Sequence, residues 1–113
     1  MEFNSNKPIY LQIADTICEQ ILSGQLAADD RVLSVREYGV KIGVNPNTIM
    51  RSYEKLTDDG IIYNRRGIGY FVCPDAREKV LAALRAEFID CQWPEVLRKI
   101  SLLGLDIETL PRK

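Results

Sequence analysis

Asn45-Pro46-Asn47-Thr48 puts two amides and a hydroxyl within four residues, and Arg65-Arg66-Gly67 puts two guanidinium groups beside a residue with no side chain. Amides and hydroxyls in such a run can bond base edges or phosphate oxygens, and a guanidinium pair beside approachable backbone suits a polyanion. Other chemistries lack their parts. The chain has no histidine, which removes the usual general base, the Ser-His-Asp and Cys-His pairings and every histidine-containing zinc site. Cys18, Cys73 and Cys91 are odd in number and lack C-x-x-C spacing, so they read as buried reduced thiols and not as a zinc ribbon or disulfide framework. Gly67-x-Gly69 lacks the strand-turn-helix setting of a nucleotide loop. Asp29-Asp30 and Asp58-Asp59 fall at turns and helix ends, where short carboxylates serve local roles. The expectation is no enzyme, no cofactor and no metal.

The elements that must position these groups follow from pattern. Pro8 suits the first position of a helix, and Ile9, Ile13, Ile17 and Ile21 recur every four residues, as a core-facing stripe does, before Gly24 closes it. Asp29-Asp30 marks a turn. Ser34 with Glu37 is a capping box that starts a second helix, with Val35, Tyr38 and Ile42 inward and Gly43 at its end. Asn45 as N-cap and Pro46 behind it open a third helix, whose buried side is Ile49, Tyr53 and Leu56 and which Gly60 stops.

The period then changes. Ile61-Ile62-Tyr63 and Tyr70-Phe71-Val72 flank a glycine-bearing tip, which predicts a two-stranded hairpin, with Tyr63 and Tyr70 as cross-strand packing partners. Asp75 with Glu78 starts a helix through about residue 90, Pro94 starts another through about Leu103, and residues 106–110 add a last turn.

Charge follows the same organisation. Residues 31–72 carry Arg31, Arg36, Lys41, Arg51, Lys55, Arg65 and Arg66 against Glu37, Glu54, Asp58 and Asp59, within a chain of net charge -1. An anionic partner would bind there. No basic and apolar leader opens Met1-Glu2-Phe3-Asn4 and no apolar run has membrane-spanning length, so a cytoplasmic protein with no membrane partner is expected.

Three helices, the second and third joined by a tight turn, then a hairpin, make a winged helix-turn-helix. The fold class is mainly α with a small β-hairpin, followed by a short C-terminal helical dimerisation element. Residues 7–73 resemble the winged helix-turn-helix of GntR-family bacterial transcription regulators. The resemblance lies in residues 30–37, in Gly43-Val44-Asn45-Pro46-Asn47-Thr48, in Leu56 with Asp59-Gly60-Ile61-Ile62, and in residues 66–72. The Asn45–Thr48 run and the short tail are most similar to the YtrA-like subfamily.

The resemblance implies a DNA-binding set: Arg36 on the second helix, Asn45, Asn47 and Thr48 opening the recognition helix, and Arg65, Arg66 and Gly67 at the wing tip. Ala28-Asp29 stands where the family has Pro-Gly, and Leu33 where it has proline. Met50 occupies a position that is arginine in many members; Arg51 offers a backbone contact instead, about 100° around the helix. Each residue has a plain alternative: Arg36 as a solvated charge, Thr48 bonded to local backbone, Asn45 as a cap only, Arg65-Arg66 as charges guarding an edge strand.

The expected domains are 1–74 for DNA binding and 75–113 for pairing. The tail offers Leu81, Leu84, Phe88, Trp93, Leu97 and Leu103 among its apolar residues, more than two short helices can hide between themselves. A homodimer on double-stranded DNA follows, acting as a sequence-specific regulator, in the first instance a repressor, at a pseudo-palindrome with half-sites ~34 Å apart. The alternative is a winged-helix adaptor that binds protein. A tail this small is a poor source of walls for an effector pocket, and no small-molecule effector is indicated.

Overall fold

The computed structural model describes residues 7–112; residues 1–6, with the Met1-Glu2-Phe3-Asn4 opening, and Lys113 lie outside them. Its elements are α1 (Ile9–Leu22), α2 (Val35–Ile42), α3 (Pro46–Asp58), β1 (Ile62–Arg65), β2 (Gly69–Val72), α4 (Ala76–Glu87), a π-helical turn (Phe88–Gln92), α5 (Trp93–Leu102) and a 3-10 turn (Ile107–Thr109). The chain forms two compact units, one ending at Leu81 and the other starting at Ala82, so that α4 runs from one into the other.

The first unit is a winged helix-turn-helix. Ile13, Ile17 and Ile21 of α1, Ile49, Tyr53 and Leu56 of α3, Ile62 of β1, Val72 of β2 and Val80 of α4 are buried in it. The α1 stripe begins one turn later than its spacing suggests, because Ile9 is 45% exposed. Pro8 is the N-cap and not the first helical residue: its ψ of 145° is extended, and its carbonyl takes the Leu11 and Gln12 N–H groups. On α2 the buried residues are Tyr38 and Gly39, whereas Val35 and Ile42 are half-buried.

The hairpin pairs Ile62 with Val72, Tyr63 with Phe71, Asn64 with Tyr70 and Arg65 with Gly69. This register corrects the expected Tyr63–Tyr70 pairing. Tyr70 is next to Phe71 along β2, so alternation sends it to the opposite face from Tyr63. Tyr63 stacks on Phe71, with ring centroids 5.7 Å apart. The segment before α2 runs along the outside of β2, with Asp29 N–H donating to Val72 O at 2.8 Å and Val32 N–H to Tyr70 O at 2.9 Å. Asp29, which stands where the related pattern has glycine, has φ +64°. Short polar residues tolerate that left-handed backbone better than others do, and the Asp29 carboxylate also accepts from the Tyr63 hydroxyl at 2.9 Å.

In the second unit, the two helices expected around Pro94 are joined by a helical turn. Pro94 has no N–H, and its ring would collide with the carbonyl four residues back. The chain widens there into a π turn, in which Trp93 N–H reaches Phe88 O, and α5 continues from it. No residue of the π turn or α5 is buried, and Ile89, Leu102 and Leu103 are 60–70% exposed. The thiols are free, with Cys18 and Cys73 half-buried and Cys91 exposed, so the expected burial of all three does not hold. Burial, and then the Asp15 carboxylate, push the Cys18 thiol up to about 11.

Candidate nucleic-acid interface

The candidate site is built from the turn outward. The Ser34 hydroxyl accepts from Glu37 N–H at 3.1 Å, while the Glu37 carboxylate accepts from Ser34 N–H at 3.0 Å. Those bonds with Ser34 hold the Glu37 carboxyl below its ordinary range, and Arg31 adds to the effect. The reciprocal cap fixes the start of α2, leaving Arg36 exposed in its first turn.

The turn between α2 and α3 depends on two glycines for different reasons. Gly43 has φ +70°, a left-handed C-cap that other residues resist. Gly39 is ordinary helix, but a Cβ there would lie 2.7 Å from the Val44 carbonyl oxygen. The absence of that atom lets the turn fold back, and Val44 N–H bonds Gly39 O at 3.0 Å.

The polar run of α3 points outward. Asn45, Pro46 and Asn47 are exposed and Thr48 is half-buried, whereas Ile49 and Tyr53, on the opposite side of the helix, are fully buried. Asn45 caps α3, its Oδ1 accepting from Asn47 N–H at 2.8 Å. That oxygen is committed to the cap, as the structural reading of Asn45 expects. The Thr48 hydroxyl makes no hydrogen bond among the described residues, so the local-backbone alternative for it is not realised.

Arg51 is exposed but turned toward α1, its guanidinium 4.2 Å from the centre of the Tyr10 ring. In the wing, Ile68 N–H bonds Arg65 O at 2.8 Å to close the tip, and Gly67 takes φ +80° there. Arg65 leans on the Phe71 ring at 5.4 Å, and Arg66 is exposed. Among the described residues, Arg36, Arg51, Arg65 and Arg66 are in no ion pair; of the basic side chains between 31 and 72, only Lys55 is paired, with Asp59 at 2.7 Å. Their charge is therefore available to an external anion.

Three side chains that hold this surface together were not among the predicted site residues. Tyr53, fully buried, donates its hydroxyl to Leu33 O at 2.6 Å and packs edge-on against Tyr38 and Tyr70. It therefore joins α3 to the approach of α2, to α2 itself and to the wing. Ser52, also fully buried, donates to Tyr10 O at 2.7 Å and ties α3 to α1. Tyr70 donates to the Met50 sulfur at 3.8 Å, joining β2 to the outer side of α3. The sequence signal for Ser52 is a small residue beside the Ile49–Tyr53–Leu56 stripe; Tyr53 and Tyr70 carry none for their partners.

No helix among the described residues is long and apolar enough to cross a membrane. Nor do those residues bring together three or more Cys, Asp or Glu side chains placed to hold a metal ion.

Residues 9–72 match the family described as bacterial regulatory proteins, gntR family. The transcriptional regulator YhcF of Bacillus subtilis is 45% identical over 75 residues, 66% of this chain and 62% of that protein, so the match spans under two thirds of YhcF. The transcriptional repressor YtrA of the same organism is 31% identical over 94% of this chain and 81% of its own length. The solved DNA-binding domain of AraR, in complex with its operator ORR3, superposes with a TM-score of 0.58 and 29% identity, over 65% of this chain and 86% of that one. The family match over residues 9–72 takes in the capped α2, the turn after it, α3 and the wing: this chain belongs to the GntR family of bacterial regulatory proteins.

Proposed function

We propose that the chain is a homodimeric repressor acting in the bacterial cytoplasm. In this reading, residues 1–74 lay the opening turn of α3 into the major groove of a pseudo-palindromic operator. Asn47 and Thr48 meet base edges or backbone, with Asn45 beside them. Arg36, Arg51, Arg65, Arg66 and the Gly67 backbone hold phosphates or enter the neighbouring minor groove. Residues 75–113 pair two copies and set the half-sites about one helical turn, ~34 Å, apart.

The observation that carries this reading is the contrast within α3, whose polar first turn stands open while Ile49 and Tyr53 behind it are 0% exposed. Two further facts support it. The neighbouring guanidinium groups have no internal carboxylate partner among the described residues. YtrA, similar over nearly the whole chain, is named a repressor.

The test is a binding titration with duplex DNA at several salt concentrations. Phosphate neutralisation predicts log affinity falling linearly with log salt, with a slope of about -0.9 per phosphate contacted. Arg66→Ala should lower that slope by about one contact while leaving sequence preference intact. Affinity that ignores salt would contradict the reading and favour a protein partner.

A further inference from the structure

We propose that Met50 reads the 5-methyl group of a thymine in the major groove, and is thereby a specificity-determining residue of this interface. The inference rests on the DNA-reading role proposed for α3.

Beyond Pro46 at its start, the exposed side chains of α3 are Asn47, Met50, Arg51, Glu54, Lys55, Thr57 and Asp58. Met50 is the only apolar one, and it is 37% exposed. It lies three residues after Asn47, so the two side chains are neighbours on the helix surface. Its other neighbour is the wing, through the Tyr70 hydroxyl on its sulfur at 3.8 Å.

Methionine ordinarily has three freely rotating bonds and makes an imprecise probe. Here its sulfur is held by a relay. The Tyr70 ring packs edge-on against Tyr53 with centroids 5.0 Å apart, and the Tyr53 hydroxyl is fixed to the Leu33 carbonyl at 2.6 Å. With the sulfur tethered, the terminal methyl is the part left to meet a partner, between the polar tip of α3 and the wing.

A duplex offers one apolar group on its major-groove edge, the thymine methyl. The carboxylates further along the same face, Glu54 and Asp58, disfavour a phosphate there. Met50 therefore suits a base edge and not the backbone.

The experiment uses the full chain and a duplex carrying the operator that it enriches from a random pool. Each thymine in turn is replaced by deoxyuridine, which removes only the methyl group. The wild-type protein should lose about fourfold in affinity at one thymine per half-site, the amount expected for one buried methyl. Met50→Ala should bind the thymine duplex about as weakly as the wild type binds the uracil duplex, and should show no further loss on uracil. Met50→Leu, which keeps the apolar bulk but loses the sulfur that Tyr70 holds, should show a smaller uracil penalty than the wild type while still favouring thymine more than Met50→Ala does. Uracil tolerated at every position, or an equal uracil penalty in wild type and Met50→Ala, would overturn the proposal while leaving the DNA-reading role standing. Failure to enrich any operator would overturn both.

Discussion

The Tyr53 hydroxyl sits behind the candidate interface, bonded to Leu33 O, and its ring packs between Tyr38 and Tyr70. Burial raises its pKa well above the ordinary tyrosine range, and Tyr38, Glu37 and Tyr70 nearby push the same way. The folded state thus favours the neutral phenol more than the unfolded chain does. That contribution is complete below the ordinary tyrosine pKa and is lost as pH rises toward the folded value. Denaturant unfolding followed against pH should show stability falling in the strongly basic range. Tyr53→Phe should flatten that fall and cost about 1 kcal/mol at neutral pH. An unchanged basic limb in Tyr53→Phe would assign it to other groups.

At this scale the sequence discloses groups with local roles, such as Asn45 at its cap and the outward Arg36 and Asn47. It does not disclose Ser52 on Tyr10, Tyr53 on Leu33 or Tyr70 on Met50. Those pairs are separated by 42, 20 and 20 residues, and only the packed chain brings them together.

Among the elements, α2 and the turn after it depend on a few atoms. Ser34→Ala removes the acceptor for Glu37 N–H and should cost about 1 kcal/mol. Gly39→Ala should cost more, about 1–3 kcal/mol, because the new methyl meets the Val44 carbonyl at 2.7 Å and backbone cannot rotate away as a side chain can. Thermal unfolding of the two variants checks the order: a Gly39→Ala protein as stable as wild type would mean that the turn is not pinched there.

Element ends written in local chemistry were legible, as with Ser34-Glu37, Gly43 and Asn45-Pro46. Two features were not. Pro8 serves as a cap because its extended backbone precedes the helix, which a preference for the first position does not distinguish. Pro94 reads as the start of a separate helix, yet a π turn absorbs its missing N–H and keeps the run helical from Ala76 to Leu102. The hairpin itself was evident, but its register is set by β2 pairing on both sides, with β1 and with residues 29–32.

For the whole molecule, the account needs two copies. Leu102 and Leu103 are each 70% exposed and Ile89 60%, a density of apolar surface that monomers seldom leave to water. Sedimentation equilibrium at micromolar concentration should give a dimer, and the double variant Leu102→Glu with Leu103→Glu should give a folded monomer with much weaker operator binding. A wild-type monomer would remove the reason for a two-fold operator.

The most direct test of the central claim is selection of duplexes from a random pool by three full-length proteins: wild type, Arg36→Ala and Thr48→Ala. The wild type should enrich one two-fold-symmetric motif with half-sites about a helical turn apart. The two variants, folded and dimeric by sedimentation, should enrich none or a degraded form of it. If both variants recover the wild-type motif undiminished, sequence is not read by the tip of α3 and the start of α2, and the account is wrong.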